Sequence, residues 1–503
     1  MNVAHAHFSE HLVKSFSHQP ALLNKPHIRT NKMATFTLST LDQAAPRTYL
    51  RYALTFACNS DEVAAATEKL QQAVKRTVNE VPMLAGSVTL NDQQSLVVKV
   101  TLEQIEGFSA NITHLEGSHY SYATISQSGV SPTYLMEADL TPLADNPEED
   151  TSPVCAIQAN FVEGGLILVI YLHHAVADIR GVSTIFRLMS EGLPLRLLDQ
   201  ETLEHDAATV SQARSRLSDG SGAPAFLVLA RDIQQRQQQR QQQQSQQGTV
   251  SVGAATNNPP SAEAFPNCAA IFGFKLNVIN QVTGLINARR RLQAGLSNLS
   301  LADTVTPRDV LVSIIWRAYA RARWPVGAEG EETTTSVSFP VDLRSYLVPP
   351  LESYWMGNAE TTAVAREEIL RLGLNYDVST LERTAGLIHA TAKAAASDLL
   401  VRSRINLLNA DPNPQDLLSG QLIVHDWTPV PKMEEQEMDL GLGLGRPDAI
   451  RRIGRGFGST EVVLLPENQH RQIWEIQVEL EQFWMARILQ DELLRPFLWG
   501  VAI

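Results

Sequence analysis

Cysteine is scarce in this sequence, which has only Cys58, Cys155 and Cys268 among 503 residues. Their odd number and wide spacing argue against a disulfide framework, and no two of them have the close spacing that is typical of a zinc site. Free thiols are typical of proteins in reducing compartments. The cysteine usage therefore favours an intracellular protein.

Long hydrophobic runs are also absent. The longest apolar stretch, residues 166–172, is far shorter than the roughly 20 residues that a membrane-spanning helix requires. The first 30 residues contain five histidines and no apolar segment that resembles a signal peptide. We therefore expect no membrane association and a cytoplasmic location.

The third absence is a surplus of basic residues. The chain has 54 Asp and Glu against 41 Lys and Arg, a net charge of −13, whereas nucleic-acid binders are usually basic. We therefore expect no nucleic-acid partner. A hydrophobic content of 44% and a charged content of 19% are typical of a globular protein. The chain is too long for one ordinary core, which predicts more than one domain.

Two segments have little apolar surface to bury. Residues 1–34 are polar and are predicted to form a loosely ordered extension; His5, His7 and His11 lack carboxylate or cysteine companions, so we expect no metal site there. Residues 223–267 are Gln-rich and lack the apolar heptads of a coiled coil, which predicts a crossover loop. Two domains, 35–222 and 268–503, would lie on either side of this loop.

The first of these domains contains recognisable strand and helix patterns. Residues 48–57 predict a strand, and Ser60 is expected to cap a helix that stops at Pro82. Strands are predicted at 153–161 and 166–172, joined as a hairpin through a Gly-Gly turn. Because the second of these strands is apolar on both faces, we expect it in the middle of a covered sheet.

The second domain repeats this alternation of strands and helices. Pro307 opens a predicted helix, and alternating apolar and polar residues at 474–480 predict a half-buried strand that a closing helix at 481–494 follows. Further strands at 269–276 and 336–340 and helices within 364–407 complete the pattern. The fold class expected from it is α/β or α+β with two sheets.

His174 and Asp178 follow the apolar strand directly, in the segment HHAVAD. A neutral imidazole at such a position can accept a proton from an alcohol or an amine near pH 7. A histidine that only fills space at the end of a strand explains the pentapeptide equally well. The spacing alone leaves both interpretations open.

Longer stretches around this pair carry a family resemblance. The segment QANFVEGGLILVIYLHHAVAD resembles the BAHD acyltransferases and the wider group of CoA-dependent acyltransferases with an HxxxD motif. Five further segments match that family in order: FTLSTLDQAAPRTYLRYALTF, VPMLAGSV, TPRDVLVSIIWRAYARAR, VDLRSYLVPPLESYWMGNAE and DLGLGLGRPDAIRR. The last is similar to the form found in fungal members such as the trichothecene acetyltransferases.

The resemblance implies a fold and a chemistry. The expected fold has two chloramphenicol-acetyltransferase-like domains, each a mixed β-sheet flanked by helices, with a tunnel between them. His174 would act as general base without an acyl-enzyme, while Asp178 would hold the active-site loop by pairing with Arg344. No cofactor would stay bound. Acyl-CoA, above all acetyl-CoA, would be the co-substrate, and the acceptor a hydroxyl of a small secondary metabolite such as a terpenoid or polyketide. A monomer is expected.

The same resemblance extends to the C-terminal motif and its surroundings. Asp439, Gly441 and Gly443 would be structural, and alternate glycines indicate a close approach of backbone. Candidates for contacts with CoA are Arg446, Arg451, Arg452 and Trp427, although a solvated face explains the arginines equally well. The sequence departs from the family pattern in three places: Ile179 in place of glycine, Leu442 in place of an aromatic residue, and His425 with Asp426 before Trp427. The last departure leaves the CoA contacts in doubt.

Three alternatives remain at this stage. A condensation domain of a peptide synthetase would use His174 in a similar way but would take its acyl group from a carrier protein. A non-catalytic binding protein could also keep the acyltransferase fold. Cys155 could be proposed as a nucleophile, but a small buried residue is the favoured role, and the chain lacks the G-x-S-x-G elbow of serine hydrolases.

Overall fold

The structure is a computed structural model that describes most of the chain. The described residues are 32–117, 120–135, 137–143, 151–223, 267–293, 304–325, 333–352, 355–373, 377–410, 420–431, 435, 438–453 and 460–503. The predicted N-terminal extension, with His5, His7 and His11, and the Gln-rich crossover loop lie almost wholly outside them. Ala34 already belongs to a strand.

The strands of the described residues form three sheets. In chain order they are β1 (Ala34–Thr37), β2 (Tyr49–Ala57), β3 (Ser87–Leu90), β4 (Leu96–Val100), β5 (Asn111–His114), β6 (Thr151–Pro153), β7 (Cys155–Val162), β8 (Gly165–His173), β9 (Asn267–Lys275), β10 (Thr334–Asp342), β11 (Glu360–Glu368), β12 (Leu422–Asp426), β13 (Ala449–Arg452), β14 (Thr460–Leu464), β15 (Ile473–Glu481) and β16 (Leu498–Ala502). The sheet orders are β1-β4-β3-β6, β13-β2-β8-β7-β5 and β11-β10-β12-β14-β15-β9-β16.

Helices cover these sheets. The α-helices of the described residues are α1 (Thr40–Ala44), α2 (Val63–Glu80), α3 (Leu102–Gly107), α4 (Tyr122–Gln127), α5 (Ile179–Glu191), α6 (Gln200–Ser215), α7 (Leu276–Gln293), α8 (Pro307–Arg323), α9 (Ile369–Gly373), α10 (Val378–Ala395), α11 (Asp398–Asn409) and α12 (Gln482–Leu489). The mixed α/β class expected from the sequence is confirmed, but the described residues form three sheets instead of the expected two.

Strand β8 lies at the centre of the five-stranded sheet, and all nine of its residues are buried. Its even-numbered side chains from Leu166 to Leu172 join the core beneath α2 and α5, and Ile167, Val169 and Tyr171 join a second cluster on the other face. The predicted position of this strand in the middle of a covered sheet is therefore confirmed. The hairpin with β7 turns at Glu163 and Gly164, whose φ of 77° suits glycine.

The seven-stranded sheet carries the second large core. Trp316 on α8 and Trp474 on β15 are almost fully buried there. The alternation in β15 predicts a half-buried strand, and this is wrong because Gln477 and Glu479 are also buried, at 4% and 8% exposure. Their polar face lies against strand β13, where Gln477 bonds both main-chain groups of Arg452, so it is covered by protein rather than by water.

Several predicted boundaries differ from the structure. Ser60 does not cap α2, since the helix begins at Val63 and Asn59 bonds the Glu62 carboxylate in the turn before it. Residues 364–368 extend strand β11 instead of beginning a helix. The closing helix α12 is shorter than 481–494 and ends at Leu489. Pro307 does open α8, and Thr306 with Asp309 completes a capping box.

Strand β13 connects the two halves of the chain. It comes from the C-terminal half in sequence, yet it pairs antiparallel with β2 at the edge of the five-stranded sheet. Residues 33–503 accordingly form one compact unit. Within the described residues, no helix is both long enough and apolar enough to cross a membrane. The same residues contain no cluster of three His, Cys, Asp or Glu side chains that could bind a metal ion.

Candidate active site

His174 lines a cavity of about 470 Å³ to which both halves of the chain contribute. The first half supplies residues near β2, together with His174 and Ile179. The second half supplies residues from β10, β11, β12 and β14. The charged or titratable side chains of the lining are Arg51, His174, Glu360, Arg404, His425, Asp426, Arg452 and Glu461.

The end of strand β8 fixes the position of His174. Its backbone N–H donates to the Thr48 carbonyl at 2.8 Å, and the next turn closes with the Val176 N–H donating to the His173 carbonyl at 2.9 Å. The side chain is half-buried. Its Nδ1 is enclosed and has no hydrogen-bond partner from another residue among the described ones. This leaves Nε2 as the ring nitrogen available to a ligand in the cavity.

Burial lowers the pKa of His174 below its usual value. The residue's own backbone, the negative charge of Asp178 and the Asn358 side chain raise that pKa, and the neighbouring His425 lowers it. The imidazole is therefore neutral at physiological pH, which is the form that accepts a proton.

Asp178 does not line the cavity but holds the loop that carries His174. It is fully buried and is the N-cap of helix α5, where Oδ1 accepts from the backbone N–H of Arg180 at 3.0 Å and of Gly181 at 3.3 Å. Arg344 Nη2 donates to the same oxygen at 2.8 Å, and the Ala359 N–H donates to Oδ2 at 2.9 Å. The sequence suggests the ion pair but not the cap.

The Arg344 guanidinium also donates hydrogen bonds to residues of the second half of the chain. Nη1 donates to Asp342 at 3.0 Å, and Nη2 also donates to the carbonyls of Trp355 and Gly357 at 3.0 and 3.2 Å. Burial opposes the charge of this guanidinium, but Asp178 and Asp342 raise its pKa above the usual value. The ion pair therefore remains charged, and it links β10 to the loop after β8.

Gly181 and Ile179 have different surroundings at the start of α5. A Cβ atom at position 181 would approach the Cβ of Ala177 to 2.5 Å, closer than two carbon atoms can pack. Glycine is therefore required at 181, where α5 passes close to the loop, whereas the side chain of Ile179 lines the cavity. The departure from the family pattern moves the glycine by two positions without removing it.

The structure also assembles residues that the sequence reasoning did not single out. The Asn358 side chain donates to the His174 carbonyl at 2.8 Å and to Asp42 Oδ1 at 3.0 Å. Asp42 in turn pairs with Arg214, and these two side chains are 0% and 1% exposed. Asp42 and Asn358 lie within the segments FTLSTLDQAAP and YWMGNAE that carry the family resemblance, so the sequence contained a signal for both.

His425 and Asp426 occupy one side of the cavity and are both paired. His425 Nε2 lies 3.0 Å from Glu461 Oε2, an oxygen that also accepts from Arg452. These partners outweigh burial and lower the pKa of Glu461 to about 2. Asp426 pairs with Arg308 and accepts from the Thr428 N–H at 2.9 Å.

Glu360 and Trp427 supply the cavity with a carboxyl group and an aromatic ring. Burial, together with the charge of Asp178, raises the pKa of Glu360 to about 8, so this carboxyl is mostly protonated and can donate a hydrogen bond at neutral pH. Trp427 is 4% exposed and packs on Tyr52 with ring centroids 4.3 Å apart. One of its edges contributes to the cavity wall.

The predicted cluster of arginines is divided between two cavities. Arg452 lines the cavity of His174, whereas Arg446 and Arg451 line a larger one of about 1070 Å³, which His174 does not line. Arg451 is 2% exposed and donates to the carbonyls of Gly129 and Val130 and to Glu475. Arg446 is exposed and donates to a backbone carbonyl. The structure does not bring these two residues to His174.

The glycine-rich motif is a loop packed against the first half of the chain. Gly441, Gly443 and Gly445 all have φ between 71° and 81°, the left-handed region that side chains disfavour. A Cβ at Gly443 would lie 2.2 Å from Lys69 Nζ on α2. Asp439 accepts from the Gly441 N–H at 3.1 Å. None of these residues lines the His174 cavity.

Cys155 is buried, and burial raises the pKa of its thiol to about 12. The thiolate, which is the nucleophilic form, is therefore not populated near neutral pH. This environment suits a small buried residue.

Comparisons with known proteins agree with this geometry. The Transferase family model matches residues 23–494. The O-acetyltransferase ptmV of Penicillium ochrochloron is 21% identical, over 91% of this chain and 95% of that protein. The enoyl-CoA isomerase/hydratase claC of Penicillium crustosum is 24% identical over 92% of this chain, which spans only 50% of claC.

A solved structure shares the fold. The crystal structure of F. sporotrichioides TRI101, complexed with coenzyme A and T-2, superposes with a TM-score of 0.68 at 17% identity. The superposition covers 92% of this chain and 99% of that one, so the two-domain acyltransferase architecture expected from the motifs is confirmed. Because the family match extends over nearly the whole chain, the protein belongs to the Transferase family and is an acyltransferase of the BAHD type.

Proposed function

We propose that the protein transfers an acyl group from acyl-CoA to a hydroxyl group of a small secondary metabolite, with His174 as the general base. The observation that carries this proposal is a neutral imidazole with an enclosed Nδ1 that lines a cavity formed by both halves of the chain. A general base in such a position contributes roughly 10²- to 10⁴-fold to the rate.

The proposed reaction needs no covalent intermediate on the enzyme. The acceptor oxygen attacks the thioester carbonyl carbon while Nε2 of His174 takes the hydroxyl proton. The tetrahedral intermediate then collapses, the carbon–sulfur bond breaks, and the proton on His174 passes to the departing thiolate. The products are an ester and free CoA, and His174 returns to its neutral form.

Asp178 and Arg344 serve this reaction by keeping the loop in place. The Asp178 carboxylate accepts from two backbone N–H groups of α5, from the Ala359 N–H and from the Arg344 guanidinium. Breaking such a buried pair by removing one partner costs about 3 to 5 kcal/mol. Asp178 is therefore proposed as a structural residue that does not contact substrate.

The donor and acceptor classes are inferred from relatives and from the cavity. One relative is named an O-acetyltransferase, and the structural neighbour holds coenzyme A and T-2, which supports acetyl-CoA and a terpenoid or polyketide alcohol. The half-buried Glu360 and Thr362 offer hydrogen bonds to oxygen atoms of such an acceptor. Arg452 and Trp427 are proposed as contacts of the bound substrates because they line the same cavity.

We further propose that the segments 35–222 and 268–503 act together as the two catalytic domains of a cytoplasmic monomer. Both segments line the cavity of His174. The three cysteines are free, which suits a reducing compartment. Gel filtration at micromolar concentration would test the monomer.

The first experiment tests acyl transfer itself. The purified protein is incubated with acyl-CoAs of several chain lengths and a metabolite extract, and thiol release and acylated masses are recorded. We expect acceptor-dependent thiol release, greatest with acetyl-CoA. If the folded protein releases no thiol with any donor, free acyl-CoA is not its acyl donor. A parallel sample with carrier-bound acyl groups would then test the condensation alternative.

The second experiment tests the base. His174→Ala should lower kcat by roughly 10²- to 10⁴-fold with little change in the midpoint of thermal unfolding, because only the proton acceptor is lost. Cys155→Ser serves as the matched control, since Cys155 is buried away from the cavity and should leave kcat near the original value. Full activity in His174→Ala would refute the mechanism.

A further inference from the structure

A second buried ion pair, Asp42–Arg214, lies beside the catalytic loop. Asp42 is on α1 and Arg214 is near the end of α6, and their side chains are 0% and 1% exposed. Removing two charges from water is costly, so a pair this deeply buried is retained only where its geometry and remaining hydrogen bonds compensate. Its hydrogen bonds show which groups the pair holds.

The pair reaches the loop of His174 at two main-chain carbonyls. Arg214 Nη2 donates to the Val176 carbonyl at 2.8 Å. Asp42 reaches the His174 carbonyl through Asn358, whose side-chain amide donates to that carbonyl at 2.8 Å and to Asp42 Oδ1 at 3.0 Å. Both carbonyls are therefore held by donors that depend on one carboxylate, Asp42.

The two ion pairs alternate along a short strip of backbone. The carbonyls of Trp355 and Gly357 accept from Arg344, and the carbonyl of Met356 between them accepts from Arg214 at 3.0 Å. The backbone N–H of Asn358 then donates to Asp42 at 2.8 Å, and the N–H of the next residue donates to Asp178 at 2.9 Å. Five successive residues, 355–359, are thus bonded alternately to the Asp178 pair and to the Asp42 pair.

We propose that Asp42 and Arg214 are positioning residues that set the orientation of the His174 ring through Asn358 and the Val176 carbonyl. The carbonyl that Asn358 holds belongs to the catalytic residue, so its direction fixes the backbone from which the imidazole projects. The Asn358 side chain also raises the pKa of His174, as does the charge of Asp178, whereas His425 lowers it. This inference rests on the proposed role of His174 as the base.

Asp42→Asn is the sharpest variant because it keeps the shape and removes the charge. Asp42 accepts on one oxygen from Asn358 and on the other from Arg214 and Ser39. An asparagine amide has one acceptor oxygen, so in either orientation one of these two sets of donors faces an NH₂ group. The expected result is a decrease of roughly 10- to 100-fold in kcat, the size of effect that follows small misplacement of a catalytic group.

A pH profile separates positioning from loss of folded protein. Because the Asn358 side chain raises the pKa of His174, loosening Asn358 should move the acidic limb of the kcat/KM profile to lower pH in Asp42→Asn. Asp309→Asn is the matched control: this carboxylate is also buried, pairs with His389 and accepts from the Thr306 N–H, but it does not contact the loop. It should lose stability while its pH limb and kcat stay near the original values.

The double variant Asp42→Asn/Arg214→Met distinguishes a positioning role of the ion pair from a purely structural one. Arg214→Met alone leaves an unpaired buried carboxylate and should strongly lower the urea midpoint of unfolding. The double variant removes both charges and should recover much of that midpoint, whereas kcat should stay low because Asn358 and Val176 remain unheld. Recovery of kcat in step with stability, or an unchanged kcat and pH limb in folded Asp42→Asn, would overturn the proposal.

The outcome for His174→Ala keeps the two proposals distinct. If that variant is fully active, the proposed function fails and the positioning role fails with it. If His174→Ala is inactive while the Asp42 and Arg214 variants keep a normal kcat and pH limb, only the positioning role fails.

Discussion

His173 and His174 are adjacent in the chain but have different surroundings. His173 is 3% exposed, its ring meets Tyr49 edge-on, and its Nδ1 accepts from the Ala175 N–H at 3.2 Å. A ring nitrogen that accepts a hydrogen bond must be unprotonated. His173 is therefore a neutral core residue that supports the turn, while His174 faces the cavity.

This difference predicts a stability change in acid. Burial, with smaller contributions from His174 and Arg47, lowers the pKa of His173 from 6.5 to about 4. Between these two values the unfolded chain binds a proton that the folded chain does not bind. The free energy of unfolding should therefore fall as the pH falls from 6.5 to 4, by roughly 3 kcal/mol from this residue.

Urea unfolding at pH 7.5, 5.5 and 4.5 measures this change. His173→Gln lacks the titrating group and should show a shallower decrease over the same range, although it should be less stable at pH 7.5. His174 contributes in the same direction, so part of the decrease should remain. Equal slopes for the two proteins would contradict the assignment of a low pKa to His173.

At the scale of elements, helix α5 begins where the catalytic loop ends, and the two pack without a gap. A Cβ at Gly181 would meet Ala177, which belongs to the loop and cannot rotate away. We expect Gly181→Ala to lower the free energy of unfolding by about 1 to 3 kcal/mol and to lower kcat, because α5 must shift relative to His174.

Gly284→Ala is the matched control for this prediction. Gly284 lies within helix α7, and a Cβ there meets nothing within 4 Å. That variant should stabilise the protein by roughly 0.5 to 1 kcal/mol through helix propensity and leave kcat unchanged. Chemical denaturation and steady-state kinetics on both variants provide the comparison. A stabilised, fully active Gly181→Ala would show that the loop and helix are not tightly packed.

The elements that the sequence predicted well are those whose signals are local. Strand β8 is continuously apolar, and Pro307 with Thr306 marks the start of α8, so neither depends on distant residues. Strand β13 was missed because four residues in a basic segment carry no such signal. Its adjacent residues Arg451 and Arg452 point to opposite faces of the strand, which is why an apparent cluster of charge is divided between two cavities.

The sequence likewise predicted some residues of the candidate site and not others. His174, Asp178 and Arg344 followed from spacing and family resemblance. The Asp42–Arg214 pair did not, because its members are separated by 172 positions and meet only in the fold. The burial of Glu479 was also hidden, since the face it occupies lies against strand β13.

For the whole molecule, β13 predicts how the protein unfolds. Two domains joined by a loop often unfold separately, but here the C-terminal half supplies a strand to the N-terminal sheet, and Gln477 bonds both main-chain groups of Arg452 on that strand. The halves cannot separate without breaking these bonds. We therefore expect one urea transition that is identical by circular dichroism and tryptophan fluorescence, with Trp316 and Trp474 reporting on the second half.

Arg451→Met should lower the midpoint of that transition without dividing it. The substitution leaves the Gly129 and Val130 carbonyls and the partly exposed Glu475 without their guanidinium, a loss of roughly 3 kcal/mol if each buried carbonyl loses its only strong donor. Because the ladder between β13 and β2 remains, the two probes should still coincide. Two separate transitions, in either the original protein or the variant, would show that β13 does not couple the halves.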